Sequence, residues 1–205
     1  MRVRYSLMAF ILLLLLTIPV SAQDTLPPAQ TGRVAFVSGR DGAPALHVMA
    51  ADGSNVTRLA ALGSADGYFD WSPDGTQLAL VGPDANTLSV VDITAGTIQS
   101  ILPLGTPLHH PTWSPDGQLI AFHANLLGNN DVFTITPDGA TLTNITQNPA
   151  DDSRPTWASD SARLAFQSDR AGDMDIYVTT ADGASAERLT TAPGVDRDPV
   201  WSPDG

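Results

Sequence analysis

Trp113-Ser114-Pro115-Asp116-Gly117 recurs as Trp71-Ser72-Pro73-Asp74-Gly75 and as Trp201-Ser202-Pro203-Asp204-Gly205, with a degraded copy at Trp157-Ala158-Ser159-Asp160-Ser161. The tryptophans are spaced 42, 44 and 44 residues apart (113 − 71, 157 − 113, 201 − 157), a period that marks a repeat architecture. The chemistry of the five residues is that of a tight turn. Serine first, proline second and glycine fourth are type I turn preferences. Proline presets φ at the second position. Glycine accepts the left-handed conformation that follows such a turn in a hairpin. Each copy is therefore read as the end of one strand, a turn, and the start of the next.

Working outward from tryptophan, an apolar residue stands nine positions on, at Leu80, Phe122 and Phe166, and a turn stands twenty-five on, at Gly96, Asp138-Gly139 and Asp182-Gly183. Counting back from Phe36 by nine gives Pro27, not tryptophan, although Asp52-Gly53 keeps the register. A first repeat is thus expected without its tryptophan strand. The best-preserved repeat divides into four short strands. One ends at Pro155-Thr156-Trp157, and the others are Arg163 to Gln167, Asp175 to Thr179 and Glu187 to Thr190. Short β-branched or aromatic runs bounded by Asp, Gly and Pro are strand signals. Four strands per ~43 residues is the unit of a β-propeller blade. A blade cannot bury both faces alone, so neighbouring blades must stack.

The run Pro155-Thr156-Trp157, Leu164 to Arg170, Asp175 to Val178, Asp182-Gly183 and Arg188-Leu189-Thr190 resembles the PD-type, WD-like propeller repeat of the TolB family. The resemblance covers essentially all of residues 32–205. It implies an all-β propeller of four-stranded antiparallel blades whose channel mouth binds partner proteins at the cell envelope. TolB itself has an α/β domain before its propeller. Here residues 23–31 alone separate leader and first blade, so the expectation is a TolB-like propeller. The same repeat also precedes the α/β-hydrolase domains of serine peptidases.

Blades are expected at about 32–60, 66–103, 109–146 and 152–190, with 196–205 a further or closing first strand. About four blades are present. We expect them to be part of a larger six- to eight-bladed ring. The other arrangement lets the strand at Trp201 complete the first repeat and close four blades, the lower limit of the usual range.

Composition supports an all-β reading. Of the 22 acidic residues, Glu187 alone is glutamate, eight of the aspartates precede glycine, and there is no lysine. Asp-Gly is turn chemistry, and scarcity of Glu and Lys removes two strong helix formers. At the N-terminus, Arg2 and Arg4 precede an apolar run from Leu7 to Val20, and Val20-Ser21-Ala22 offers small residues for cleavage. Residues 1–22 are read as a secretory signal peptide and 23–31 as a flexible lead-in. The apolar run is shorter than the ~20 residues that span a bilayer. The expectation is an exported protein, periplasmic or extracellular, without membrane insertion after cleavage. Beyond residue 22 stand 8 basic and 22 acidic residues, a net charge of −14. That charge argues against nucleic acid and against anionic membrane surfaces. With no cysteine in the chain, disulfides, thiolate zinc sites and cysteine nucleophiles are excluded.

The segments before each tryptophan strand are expected at the channel mouth. They supply the candidate partner-binding residues Asp66, Tyr68, His109, His110, Asp152, Arg154, Asp196 and Arg197, with Ser153 and Asp198 beside them. Loops converging on a rigid scaffold are a common place for function. The plainer account is that these groups cap strand ends and pair with one another. Asp169, Asp173 and Asp175 crowd one hairpin, with Asn129, Asn130 and Asp131 at the matching place a repeat earlier, but the full calcium-loop spacing is missing. His47 and His123 sit in strand registers and read as structural, and no HExxH spacing exists. There is no Gly-x-Ser-x-Gly elbow and no glycine-rich phosphate loop. No cofactor and no metal are expected. The favoured function is a non-enzymatic exported module binding a protein or peptide. The alternative is the propeller portion of a secreted serine peptidase whose catalytic domain lies outside these residues.

Overall fold

The computed structural model describes residues 32–62 and 67–205. The expected leader (1–22), the lead-in (23–31) and Asp66 lie outside the described residues. Fifteen strands form four antiparallel sheets, and no helix occurs among the described residues. The first sheet has three strands, β1 (Arg33–Ser38), β2 (Ala45–Ala50) and β3 (Thr57–Ala61). The second runs β4 (Phe69–Trp71), β5 (Gln77–Val81), β6 (Thr87–Asp92) and β7 (Thr97–Pro103). The third runs β8 (Leu108–Trp113), β9 (Ile120–Asn125), β10 (Asn130–Ile135) and β11 (Leu142–Asn144). The fourth runs β12 (Asp152–Trp157), β13 (Arg163–Ser168), β14 (Asp175–Thr180) and β15 (Ala186–Arg188). Each sheet is an up-and-down meander in chain order, which is the construction of a propeller blade.

The core lies between sheets. Leu46, Leu62, Leu78 and Val91 fill the space between the first and second. Leu88, Ile101, Trp113, Phe122 and Ile135 fill that between the second and third. Val132, Ile145, Trp157, Phe166 and Tyr177 fill that between the third and fourth. Neighbouring blades thus cover one another's faces, as the repeat reading requires. Trp113 and Trp157 are each 6% exposed. The Trp157 indole N–H donates to the Thr112 carbonyl of the preceding blade at 3.2 Å. Burying such a ring stabilises by a few kcal/mol through area alone, on the order of 25 cal/mol per Å².

Each repeated turn closes as its residues dictate. The Gly75, Gly117 and Gly205 amides donate to the Ser72, Ser114 and Ser202 carbonyls at 2.9–3.0 Å. All three glycines have positive φ, between 69° and 89°. The serine hydroxyls bind Asp74, Asp116 and Asp204 at 2.6 Å. Residues 196–205 form no strand and no ladder with β1 among the described residues. They lie instead against the fourth sheet, where the Arg163 guanidinium stands 4.8 Å from the Trp201 ring.

Candidate functional site

The inner strands β4, β8 and β12 pack side by side. At their starting ends the backbone departs from a regular ladder. Between His109 and Thr112, and again between Ser153 and Thr156, one extra residue is inserted, a β-bulge. The extra residues are His110 and Arg154, with φ of 52° and 55°; Asp198, 44 positions further on, has φ 56°. None is glycine, and a left-handed L-residue costs roughly 1–2 kcal/mol. The same left-handed conformation stands at one place in three successive repeats. A bulge re-aims the side chain it carries off the regular ladder.

Those side chains meet. The Tyr68 ring lies 4.1 Å from His110 and 5.6 Å from His109. The His123 ring lies 5.4 Å from both histidines. Arg154 forms an ion pair with Asp198 across the repeat boundary. An open hollow of about 340 Å³ borders the cluster, lined by Gly67, Tyr68, His110, Thr112 and Pro155 from three successive inner strands and their approaches.

His123 contributes more than a strand register suggested. Its Nδ1 accepts the Arg154 amide at 3.4 Å. One repeat on, the Gln167 carbonyl oxygen accepts the Asp198 amide at 3.2 Å in the same way. Position 123/167 therefore holds the bulge of the following repeat, a role that aligning the repeats on tryptophan does not expose. Accepting at Nδ1 requires that nitrogen to be unprotonated, which keeps the ring neutral. Burial, reinforced by His110, His109 and Arg154, depresses His123 to about 3. Burial and the Arg154 and His109 charges depress His110 to about 4, with Asp198 opposing. Burial also lowers His109. At neutral pH the cluster is a set of uncharged imidazole faces and one phenol beside a single ion pair. Such a surface stacks and hydrogen-bonds.

The remaining sequence candidates fall elsewhere. Asp152 is fully buried and receives two hydrogen bonds from Arg170, at 2.9 and 3.0 Å, so its carboxylate is consumed inside the fourth sheet. Burial raises its pKa against the pull of Ser168 and Arg170. The Asp196 amide donates to the Met174 carbonyl at 2.7 Å, and Arg197 is exposed. Asp175, one of the calcium candidates, is buried 2.7 Å from Arg188 and accepts from Thr190. Asp131 at the matching place is held by Asn144, Thr146 and Asn129. Both acids tie the third strand of a blade to its fourth. No group of three or more metal-binding side chains is assembled among the described residues.

Comparison with known proteins settles the family. The model of the TolB beta propeller domain matches residues 70–205, well over half of the chain. The chain belongs to the TolB β-propeller family. A putative TolB from Agrobacterium tumefaciens is similar in structure, with TM-score 0.67 and 21% identity, over 77% of this chain and 61% of that one. TolB from Acinetobacter baumannii gives TM-score 0.66 and 23% identity, over 83% of this chain and 44% of that one. The tricorn protease gives TM-score 0.59 and 17% identity, over 74% of this chain and 17% of that one. These likenesses concern the fold. The chain spans less than two thirds of either TolB chain.

Proposed function

We propose that this chain is an exported, non-enzymatic TolB-like propeller module that takes a protein or peptide partner at the cell envelope through the rim formed by Tyr68, His109, His110, Arg154 and Asp198. One observation carries the reading. Positions 68, 110, 154 and 198 are the same place in successive repeats, yet they hold a phenol, an imidazole, a guanidinium and a carboxylate. A purely structural duty would be met by one residue type repeated, as the turns are. Four different groups converging beside an open hollow suit an irregular ligand such as a peptide, where aromatic anchors and a central charged pair carry most of the binding. Export rests on the leader pattern of residues 1–22 and on the family.

The test is capture of partners from envelope extract by the immobilised mature chain. Its comparison is a rim variant carrying Tyr68→Ala, His110→Ala and Arg154→Asp together. Loss of the captured protein by tenfold or more is expected, with capture retained by Ser114→Ala at the other end of the sheet. Undiminished capture by the rim variant would refute the assignment. Mass analysis of protein from the periplasmic fraction should show a chain beginning at Gln23.

A further inference from the structure

Asp70, the middle residue of β4, lines the open hollow together with Tyr68, His110, Thr112 and Pro155. Its Oδ1 accepts the Trp71 amide at 2.9 Å. Its Oδ2 accepts the Trp113 amide at 2.8 Å and the Thr112 hydroxyl at 3.1 Å, so the carboxylate bridges β4 and β8. A carboxylate has about four acceptor positions, and these three neutral donors leave it room for one more. No ion pair reaches Asp70 among the described residues. The two sheets it bridges are described strand for strand, and the preceding residues, Gly63 to Asp66, include no basic one.

The other acids of the strands are neutralised or sealed. Asp152 and Asp175 meet Arg170 and Arg188 at 2.9 and 2.7 Å. Asp131 is buried and enclosed by Asn129, Asn144 and Thr146. Asp70 is only partly buried and borders open space. Burial pushes its carboxyl up, against the pull of the Trp113 amide, the Thr112 hydroxyl and the Trp71 amide. A desolvated carboxylate of this kind gains from a cation brought to it. The blade itself does not require the acid, because the same register holds Thr112 in β8 and Thr156 in β12. The Tyr68 ring, 4.1 Å from that of His110, supplies an aromatic surface beside it. A planar guanidinium pairs with a carboxylate and stacks on such rings at the same time. Little positive charge opposes it. Arg154 is paired with Asp198, and burial keeps His109 and His110 uncharged at neutral pH.

We propose that this hollow is a subsite for an arginine side chain of the peptide partner, with the guanidinium on the Asp70 carboxylate and against the Tyr68 and His110 rings. The inference rests on the reading of the rim as a peptide-binding surface and names the side chain that the peptide presents there. The net charge of −14 beyond residue 22 draws such a cationic segment toward the chain. The charge-assisted hydrogen bond to Asp70 then fixes where it sits.

The probe is the blocked tripeptide acetyl-Gly-Arg-Gly-amide, titrated into the isotope-labelled mature chain at neutral pH. Its uncharged counterpart carries citrulline in place of arginine. The Trp71 and Trp113 amide signals, whose protons Asp70 accepts, should shift with the arginine peptide and stay in place with the citrulline peptide. Asp70→Asn keeps an oxygen acceptor and loses the charge, and it should weaken the arginine peptide at least tenfold. Asp70→Thr, which copies Thr112, should do the same, and a melt of each variant shows that it is folded. Asp74→Asn, at the other end of the strand, should leave binding unchanged. Equal binding of the two peptides, binding indifferent to both Asp70 substitutions, or no binding of either peptide would each overturn the proposal. Partner capture from envelope extract separates it from the rim reading. Capture lost by the triple rim variant and kept by Asp70→Asn would overturn the arginine subsite and leave the rim standing, while capture kept by both variants would overturn the two together.

Discussion

The two ends of the inner strands obey different rules. At the tryptophan end, three copies of one turn repeat the same residues, the same 2.6 Å hydroxyl–carboxylate contact and the same left-handed glycine. At the starting end the backbone also recurs, with a bulge in the third and fourth sheets and positive φ at positions 110, 154 and 198, but the side chains on it differ in every copy. Covering a neighbour and reversing a strand are the same task in each blade, so one solution recurs. Gripping something from outside is not a periodic task. Within a single chain, then, repetition of residue type marks scaffold, and repetition of backbone with varied residues marks a surface available for recognition.

The strongest way to break this contrast is to substitute one residue at each end. Trp113→Ala should cost on the order of 3–5 kcal/mol, the range for deleting a buried aromatic, while His110→Ala, relieving a half-exposed ring, should stay within roughly 1 kcal/mol. Denaturant melts of the two variants decide it, and equal losses would erase the distinction. The second test concerns acid. His123 and His110 titrate in the folded chain at about 3 and about 4, against 6.5 when unperturbed. Between those values the unfolded chain binds protons that the folded chain refuses. Stability should therefore fall as pH drops below about 6.5, by on the order of 3 kcal/mol, mostly through His123, since water screens the half-exposed His110. Arg154, His109 and His110 face His123 from β12 and β8, and none supplies a negative charge to oppose this. His123→Gln, which copies Gln167, should flatten the difference in melting temperature between pH 7 and pH 4. The smallest effect sharpens the scaffold side. A Cβ on Gly183 would lie 2.5 Å from the Ile145 carbonyl of the preceding blade, while one on Gly53 meets nothing within 4 Å, and both have positive φ. Gly53→Ala should cost on the order of 1 kcal/mol for backbone strain, and Gly183→Ala measurably more in the same melt.

What was legible from residues follows the same division. Tryptophan, Phe122, Phe166 and the Asp-Gly turns recur because their surroundings recur, so spacing alone placed the sheets and the faces they bury. The rim was legible only as a location. That Asp152 is withdrawn from it depends on Arg170 returning across a hairpin 18 residues later. That His110, Arg154 and Asp198 are left-handed could not be read, since the three types differ and aspartate and histidine, though enriched there, adopt that conformation at few of the places they occupy. His123 looked like strand filling because its partner is an amide of the next repeat, 31 residues away.

Among the described residues, packing divides into three interfaces between successive sheets, and that division has a mechanical meaning. Load applied to the two ends of such a row is carried in series, and no single bundle of contacts spans the whole. Stretched, the row would yield leaf by leaf, releasing about forty amino acids at each step.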